Sequence, residues 1–170
     1  MNMKMKTAYM GLFLAFALIL SYIETLIPFT PGIPGIKFGL ANLAVILCLY
    51  LFGTGPAMIL TTVKALLSGL LFGNLFMIVY SIAGAWLSLL AMILLKKINW
   101  FHLPVVSSGG AVMHNMGQLL IAFIAVDTYG VVYYIPVLIF AGVITGLIIG
   151  TAASLLMPYL QKILLKGAGL

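Results

Sequence analysis

The chain alternates long apolar stretches with short runs of glycine, proline, asparagine or lysine, and this pattern predicts membrane-spanning helices. A helix needs about 20 apolar residues to cross the hydrocarbon core of a bilayer. Stretches of that order, bounded by helix-breaking or charged residues, predict six spans, at 7–27, 35–52, 56–72, 75–95, 104–126 and 133–156. We therefore expect one transmembrane domain over residues 1–170, an all-α bundle of about six helices in the plasma membrane.

Composition supports this prediction and excludes several functions. Hydrophobic residues make up 65% of the 170 residues and charged residues only 6%, whereas a soluble domain carries about a quarter charged residues. Glu24 and Asp127 are the only acids, so the chain cannot build a metal site from several carboxylates. It also lacks a P-loop and cannot hydrolyse ATP through one. Cys48 is the single cysteine, and we expect no cofactor and no bound metal.

The lysines predict the orientation of the chain in the membrane. With an even number of spans both termini lie on one side, and six of the eight lysines then share that side: Lys4, Lys6, Lys96, Lys97, Lys162 and Lys166. Because lysines near span ends accumulate on the cytoplasmic side, we expect both termini to be cytoplasmic. The lysines form no cluster on a polar face, so nucleic acid is not an expected partner.

Lys64 lies near the middle of the third predicted span, where an ionisable side chain costs about 2.5–3.5 kcal/mol on insertion scales. Thr61, Ala65 and Ser68 share its helix face by their spacing. One interpretation is that Lys64 faces a ligand cavity or pathway. The other is that its alkyl stem lets the ammonium group reach a membrane interface.

The fifth predicted span carries three hydrogen-bonding side chains, His114, Asn115 and Gln118, beside small residues. Their amide and imidazole groups could hold the polar part of a ligand. They could equally join neighbouring helices by hydrogen bonds, since glycines allow helices to approach closely. His102 is the only other histidine and lies in a loop, so we do not expect His114 to bind a metal.

Polar residues also gather at the predicted outer ends of the spans: Glu24, Lys37, Asn42, Asn74 and Asp127. They could converge on an outward-facing pocket, although Glu24 could simply pair with Lys37 and Asp127 could be an ordinary loop residue. Together with Lys64 and His114, and with a wall of Phe, Leu, Met and Tyr, such a pocket would suit an amphipathic ligand. Its head would be anionic or rich in carbonyl groups.

The first predicted span has a face of small residues formed by Gly11 and Ala15, extended by Ala8. Such a face allows another helix to approach closely. Packing inside the bundle is the simpler explanation. Docking of a partner membrane protein is the more specific one.

Four segments, in order and at consistent spacing, resemble the Gx transporter family, often labelled heptaprenyl diphosphate synthase component I. They are PGIKFGLAN at 34–42, KALLSGLLFG at 64–73, SIAGA at 81–85 and SGGAVMHNMGQ at 108–118. The resemblance implies a bundle similar to the substrate-binding S components of energy-coupling factor vitamin transporters. In those proteins small residues of the first helix meet a transmembrane coupling subunit driven by two ATPases. Gly11 and Ala15 would form that docking face here, with glycine at a position where alanine is usual.

The expected function is a substrate-binding or transport subunit for a small vitamin-like, isoprenoid or quinone-precursor molecule, energised by a partner ATPase module. Lys64, His114, Asn115 and Gln118 would hold the polar end of the ligand, with Asn42, Glu24 and Lys37 nearer the outside. A variant of this hypothesis is an autonomous, ion-coupled carrier in which Glu24, Lys64 or His114 is the protonatable group.

A second hypothesis from another class is a non-catalytic accessory subunit of a polyprenyl diphosphate synthase. Lys96, Lys97 and the loop 99–102 would then form its cytoplasmic docking surface. We do not expect the chain to be an enzyme, because a prenyl diphosphate synthase holds Mg²⁺ with Asp-rich motifs. An intramembrane hydrolase using Ser107 or Ser108 with His114 is disfavoured, because these positions are about two helical turns apart.

Overall fold

The computed structural model describes residues 3–27, 39–126 and 129–167, and the regular elements in these ranges are all helices. These ranges hold six α-helices and one short 3-10 helix, which spans Tyr129–Tyr134: α1 Met3–Leu26, α2 Asn42–Leu51, α3 Thr54–Phe72, α4 Leu75–Lys97, α5 Leu103–Val126 and α6 Ile135–Gly167. Four stretches are long and apolar enough to cross a membrane: Met5–Leu26, Thr54–Phe72, Leu75–Lys97 and Val132–Leu165. The prediction of an all-α, multi-pass membrane protein is confirmed.

Two predicted spans differ from the structure in length. The described part of the second is α2, whose 10 residues extend about 15 Å, half the thickness of the hydrocarbon core. The sixth was expected to end at residue 156, ahead of Pro158, but α6 has 33 residues and continues through that proline to Gly167. A proline removes one backbone hydrogen bond, and membrane helices tolerate this loss. The number of full crossings therefore stays a prediction.

The helices alternate in direction, and this brings the described lysines other than Lys64 to one end of the bundle. Phe13 of α1 packs against Phe52, which follows α2, while Tyr22 of α1 packs against Phe72 at the end of α3. Hence α1 and α3 run in parallel, with α2 antiparallel between them. We call the half of the bundle at the lysine end the basic half and the other the opposite half. The basic half carries Lys6, Lys96, Lys97 and Lys162.

Helix α2 fills the interior of the basic half. Six consecutive residues of this short helix are buried: Ala44, Val45, Ile46, Leu47, Cys48 and Leu49. At its end, Lys96 Nζ donates to the carbonyl oxygen of Leu49 over 2.7 Å and lies 4.5 Å from the ring centre of Tyr50. A cation there satisfies an orphan carbonyl and opposes the negative end of the helix dipole. Lys96 therefore anchors α2 besides marking the end of α4.

The main apolar core surrounds α2 and also lies in the basic half. In the described chain α3, α4, α5 and α6 all supply buried members to this cluster, and α1 packs against it through partly buried side chains. The members outside α2 are Ala57, Leu60, Leu89, Met92, Val106, Ala153 and Met157.

Glycines bring α4, α5 and α6 into close contact. Gly142, Gly146 and Gly150 of α6 face α5, and a Cβ atom on Gly146 would lie 2.4 Å from the Cα atom of Ser108. On the other side of α5, a Cβ atom on Gly117 would lie 2.7 Å from the backbone oxygen of Ala83. Such small-residue contacts let membrane helices pack backbone to backbone. The 142–146–150 spacing is a sequence signal for this contact that the span prediction did not use.

Candidate functional site

A polar pocket lies in the opposite half, between the end of α1, the start of α2 and the middle of α3, α4 and α5. Its empty volume is about 420 Å³ with the mouth included. Eight of its ten described lining residues are polar, and the lining comprises Ser21, Glu24, Gly39, Ala41, Asn42, Lys64, Ser68, Ser81, His114 and Gln118. The structure thus brings together five of the predicted site residues.

Lys64 lines this pocket from near the middle of α3. Its side chain is only 6% exposed, and its Nζ atom donates to Asn42 Oδ1 over 3.1 Å. Thr61 and Ala65 are buried with it, and Ser68 lines the pocket. The face of α3 identified from the sequence therefore points into the bundle, and Lys64 reaches a cavity rather than a membrane interface.

Asn42 places the first turn of α2 beside Lys64. The preceding residue, Ala41, offers no side-chain cap to the helix, so the positive end of the helix dipole is opposed by no capping side chain there. Asn42 Oδ1 accepts from Lys64 instead of capping its own helix. The start of α2 and the ammonium group of Lys64 thus contribute positive potential to the same region of the pocket.

Gln118 and His114 approach the pocket from α5. Gln118 is 2% exposed, and no hydrogen bond to its Oε1 atom comes from any described residue. His114 is half-buried and lines the pocket one turn away. Gly84 of α4 makes room for both, since a Cβ atom there would lie 2.8 Å from Gln118 Cγ and 2.9 Å from the backbone oxygen of His114. The glycine in the SIAGA segment therefore sets how closely α4 meets these side chains.

Glu24, near the end of α1, also lines the pocket. Its Oε1 atom accepts a hydrogen bond from the backbone N–H of Gly39, which ties α1 to the turn before α2. Gly39 has a φ of +70°, a conformation that favours glycine. Lys37 and Asp127 lie outside the described residues. Asn74 caps α4, its Oδ1 accepting from Met77 N over 2.9 Å, and it does not line the pocket.

A second pocket of about 380 Å³ shares Gly39, Asn42 and His114 with the first and reaches towards the basic half. Asn115 lines it, but its Nδ2 atom donates to the Leu138 carbonyl of α6 over 2.8 Å. Asn115 thus joins two helices, one of the two roles considered for it. The sequence prediction did not include Ser88 and Thr145, which also line this pocket. Isolated hydroxyl residues in apolar runs give little signal, because they often bond to their own helix backbone.

The described linings lack the aromatic and aliphatic wall that we expected. Neither contains Phe, Leu or Tyr, and the large apolar members are Met92 and Ile149 of the second pocket. The reason is that many large apolar side chains of the opposite half face outward, for example Leu70, which is 64% exposed, and Phe76, which is 50% exposed. The expectation of an apolar wall is wrong for this part of the chain.

The small-residue face of α1 is also turned outward. Ala8, Gly11 and Ala15 are exposed, and a Cβ atom on Gly11 would meet no atom within 4 Å. Packing inside the bundle therefore does not account for this face in the described part of the chain. Partner docking stays a prediction.

The pocket chemistry is that of hydrogen bonding and charge. No group of three His, Cys, Asp or Glu side chains that could hold a metal lies among the residues the structure describes. Ser108 is not placed as a nucleophile, since its hydroxyl donates to the Pro104 carbonyl of its own helix over 2.9 Å.

Comparison with known families matches this architecture to one of them. The family model described as heptaprenyl diphosphate synthase component I matches residues 13–156, more than four fifths of the chain. No curated protein and no solved structure matches the chain. The description names a component of a synthase, in agreement with the prediction that this chain is not itself the enzyme, and it implies another synthase component as a partner. The chain is a membrane protein that belongs to the heptaprenyl diphosphate synthase component I family.

Proposed function

We propose that the chain is a membrane substrate-binding or transport subunit that takes up a small molecule in the pocket at the start of α2. The observation that carries this proposal is the pair of buried side chains Lys64 and Gln118, which line one pocket with the half-buried Asn42. Ionisable and polar side chains at membrane depth are costly and commonly mark substrate pathways. A purely structural role would be expected to give Gln118 Oε1 a hydrogen-bond donor within the protein, and no described residue provides one.

The lining favours particular roles for these residues. Lys64 and Gln118 would contact polar groups of the ligand, Asn42 would position Lys64, and His114 would border both pockets. Glu24 would line the same pocket. A small vitamin-like molecule fits such a polar lining better than an isoprenoid chain does. An isoprenoid or quinone precursor would place only its head group there.

Uphill transport would require an energy source that the sequence does not contain, since it has no P-loop. A partner ATPase module, joined through a transmembrane coupling subunit, would supply it. The outward face of Ala8, Gly11 and Ala15 is the surface we assign to that subunit, because it leaves room for a helix to pack closely. An ion-coupled carrier without ATPases would instead accumulate ligand alone in vesicles and lose it when the proton gradient collapses.

The test is to purify the tagged protein from its host in mild detergent and identify, by mass spectrometry, the proteins and small molecules retained. The proposal predicts a small molecule retained by the wild type and lost from Lys64→Met. Lys97→Met is the matched control, since Lys97 is exposed at the basic end. Equal retention of all small molecules by both variants would contradict the proposal.

A second candidate function is a non-catalytic accessory subunit of a polyprenyl diphosphate synthase, and the family description favours it. The turn after α4 offers a docking surface, with Trp100 85% exposed and Phe101 38% exposed beside Lys97. Recovery of a soluble synthase from the wild type, and its loss from Trp100→Ala with Lys97→Ala, would support this candidate. Aromatic residues also gather at membrane interfaces without any partner, so Tyr159→Ala, 70% exposed on α6, is the control.

A further inference from the structure

Helix α2 is electrically asymmetric with respect to the pocket. Its last turn is compensated by Lys96, which donates to the Leu49 carbonyl. Its first turn lies at the pocket beside Lys64 and has no side-chain cap, with the N–H groups of Asn42 and Leu43 donating to the carbonyl oxygens of Gly39 and Leu40. Because the amino end of a helix carries partial positive charge, this end of the pocket favours a negatively charged group such as a carboxylate.

The same pocket also offers hydrogen-bond acceptors to an N–H or ammonium group. The side chain of Gln118 is only 2% exposed, and its Oε1 atom accepts no hydrogen bond from the described residues. Glu24 adds a carboxylate to the lining, and one of its oxygens accepts from Gly39. A ligand N–H or ammonium group would satisfy Gln118 and be attracted by Glu24.

The charges of the described lining balance in their ordinary ionised forms, with Lys64 positive and Glu24 negative. A pure anion would be attracted by Lys64 but repelled by Glu24, and it would leave Gln118 Oε1 without a donor. A pure cation would be repelled by Lys64 and by the first turn of α2. A molecule with both charges would be attracted at each end.

We infer that the pocket binds a small zwitterion, with its carboxylate towards Lys64 and the first turn of α2 and its ammonium group towards Gln118 and Glu24. This inference rests on the proposed function and names the chemical class of its ligand.

The test compares three probes of equal chain length on the full-length protein in lipid nanodiscs: 4-aminobutanoate, butanoate and butylamine. Thermal unfolding is followed over one common concentration series. At a concentration about ten times its Kd, 4-aminobutanoate should raise the unfolding temperature by about 3–5 °C. At the same concentration the other two probes should raise it by less than a third of that.

Substitutions of the two charged lining residues should change the preference among the three probes in opposite directions. Glu24→Gln should weaken 4-aminobutanoate binding about tenfold and improve butanoate binding, because the lining becomes positive. Lys64→Met should weaken it similarly and improve butylamine binding. Gln118→Met should weaken 4-aminobutanoate without favouring either single-charge probe, and Lys97→Met should change nothing.

Two results would overturn the inference: butanoate or butylamine stabilising the wild type as much as 4-aminobutanoate, or no stabilisation by any of the three. The molecule retained during purification separates this failure from that of the proposed function. If retention depends on Lys64 but the retained molecule has no amine, the proposed function still holds and the inference of a zwitterionic ligand is contradicted. If nothing depends on Lys64, both are contradicted.

Discussion

The two halves of the bundle are built from the same helices but have different interiors. In the basic half, α2 fills the centre with six consecutive buried residues, and Lys96 closes its end. In the opposite half only the first turn of α2 is present, and the described interior is lined by polar side chains, among them Lys64 and Gln118. The length of one short helix thus separates an apolar core from a polar pocket.

This difference indicates that the halves have different roles. Lipid is as apolar as a protein core, so membrane helices are held together largely by close packing and by hydrogen bonds between helices. The basic half has that close packing around Leu47 and Leu49, which are both 1% exposed. The opposite half keeps a buried acceptor on Gln118 without a described partner, a feature that lowers stability and is expected where a ligand binds.

The largest effect on stability should come from the basic half. Leu47→Ala should lower the free energy of unfolding by about 2–4 kcal/mol, since it leaves a cavity in the core. Reversible unfolding in mixed micelles measures this, and the folded fraction should still bind the ligand. Leu70→Ala, on a side chain 64% exposed, is the control and should change stability little. Equal losses from both would mean that the apolar core around α2 is not the main source of stability.

The next largest effect should be a change at Gly84 that lowers both stability and ligand binding. Gly84→Ala should lower stability by about 1–3 kcal/mol, because the new methyl group would overlap Gln118 and the backbone of His114. It should weaken ligand binding as well, since both side chains would move. Gly11→Ala, where a Cβ atom meets nothing within 4 Å, should be neutral or slightly stabilising. Full ligand retention by Gly84→Ala would separate the α4–α5 contact from the pocket.

Loss of the anchor on α2 should have a smaller effect. Lys96→Met should lower the free energy of unfolding by about 0.5–1.5 kcal/mol, because it removes the hydrogen bond to the Leu49 carbonyl. Lys97→Met, on an exposed neighbour, should change stability by less than about 0.5 kcal/mol. The two variants are compared by the same unfolding measurement. Identical values would show that Lys96 contributes only to topology.

The smallest effect on stability should come from Gln118, although its substitution should still weaken ligand binding. Gln118→Met should leave stability unchanged or raise it by up to about 1 kcal/mol, since it removes a buried acceptor that no described residue satisfies. Ligand retention should fall at the same time. A clear loss of stability in this variant would show that Gln118 has a structural role instead.

The sequence predicted most of the helices because apolar run length decides them. The span predicted at 75–95 corresponds to α4, Leu75–Lys97, and the span predicted at 104–126 corresponds to α5, Leu103–Val126. It could not predict the short α2, since a half-length buried helix is as apolar as a span. It could not predict that α6 continues through Pro158, which depends on how the surrounding protein accommodates a lost hydrogen bond.

The candidate site was predictable as a set of residue types but not as a geometry. Lys64, Gln118 and Glu24 stood out because polar side chains are rare in this chain. The bond between Lys64 and Asn42 depends on two helices meeting, which no local spacing reveals. Ser88 and Thr145 of the second pocket gave no signal, because a single hydroxyl in an apolar run is usually satisfied by its own helix.

The most direct test of this division of roles is to quantify, per folded protein, the small molecules retained by the wild type, Lys64→Met and Leu47→Ala. The account predicts that Leu47→Ala is less stable but keeps the ligand, while Lys64→Met loses the ligand. Retention by Lys64→Met equal to that of the wild type would contradict the assignment of the opposite half as the ligand site.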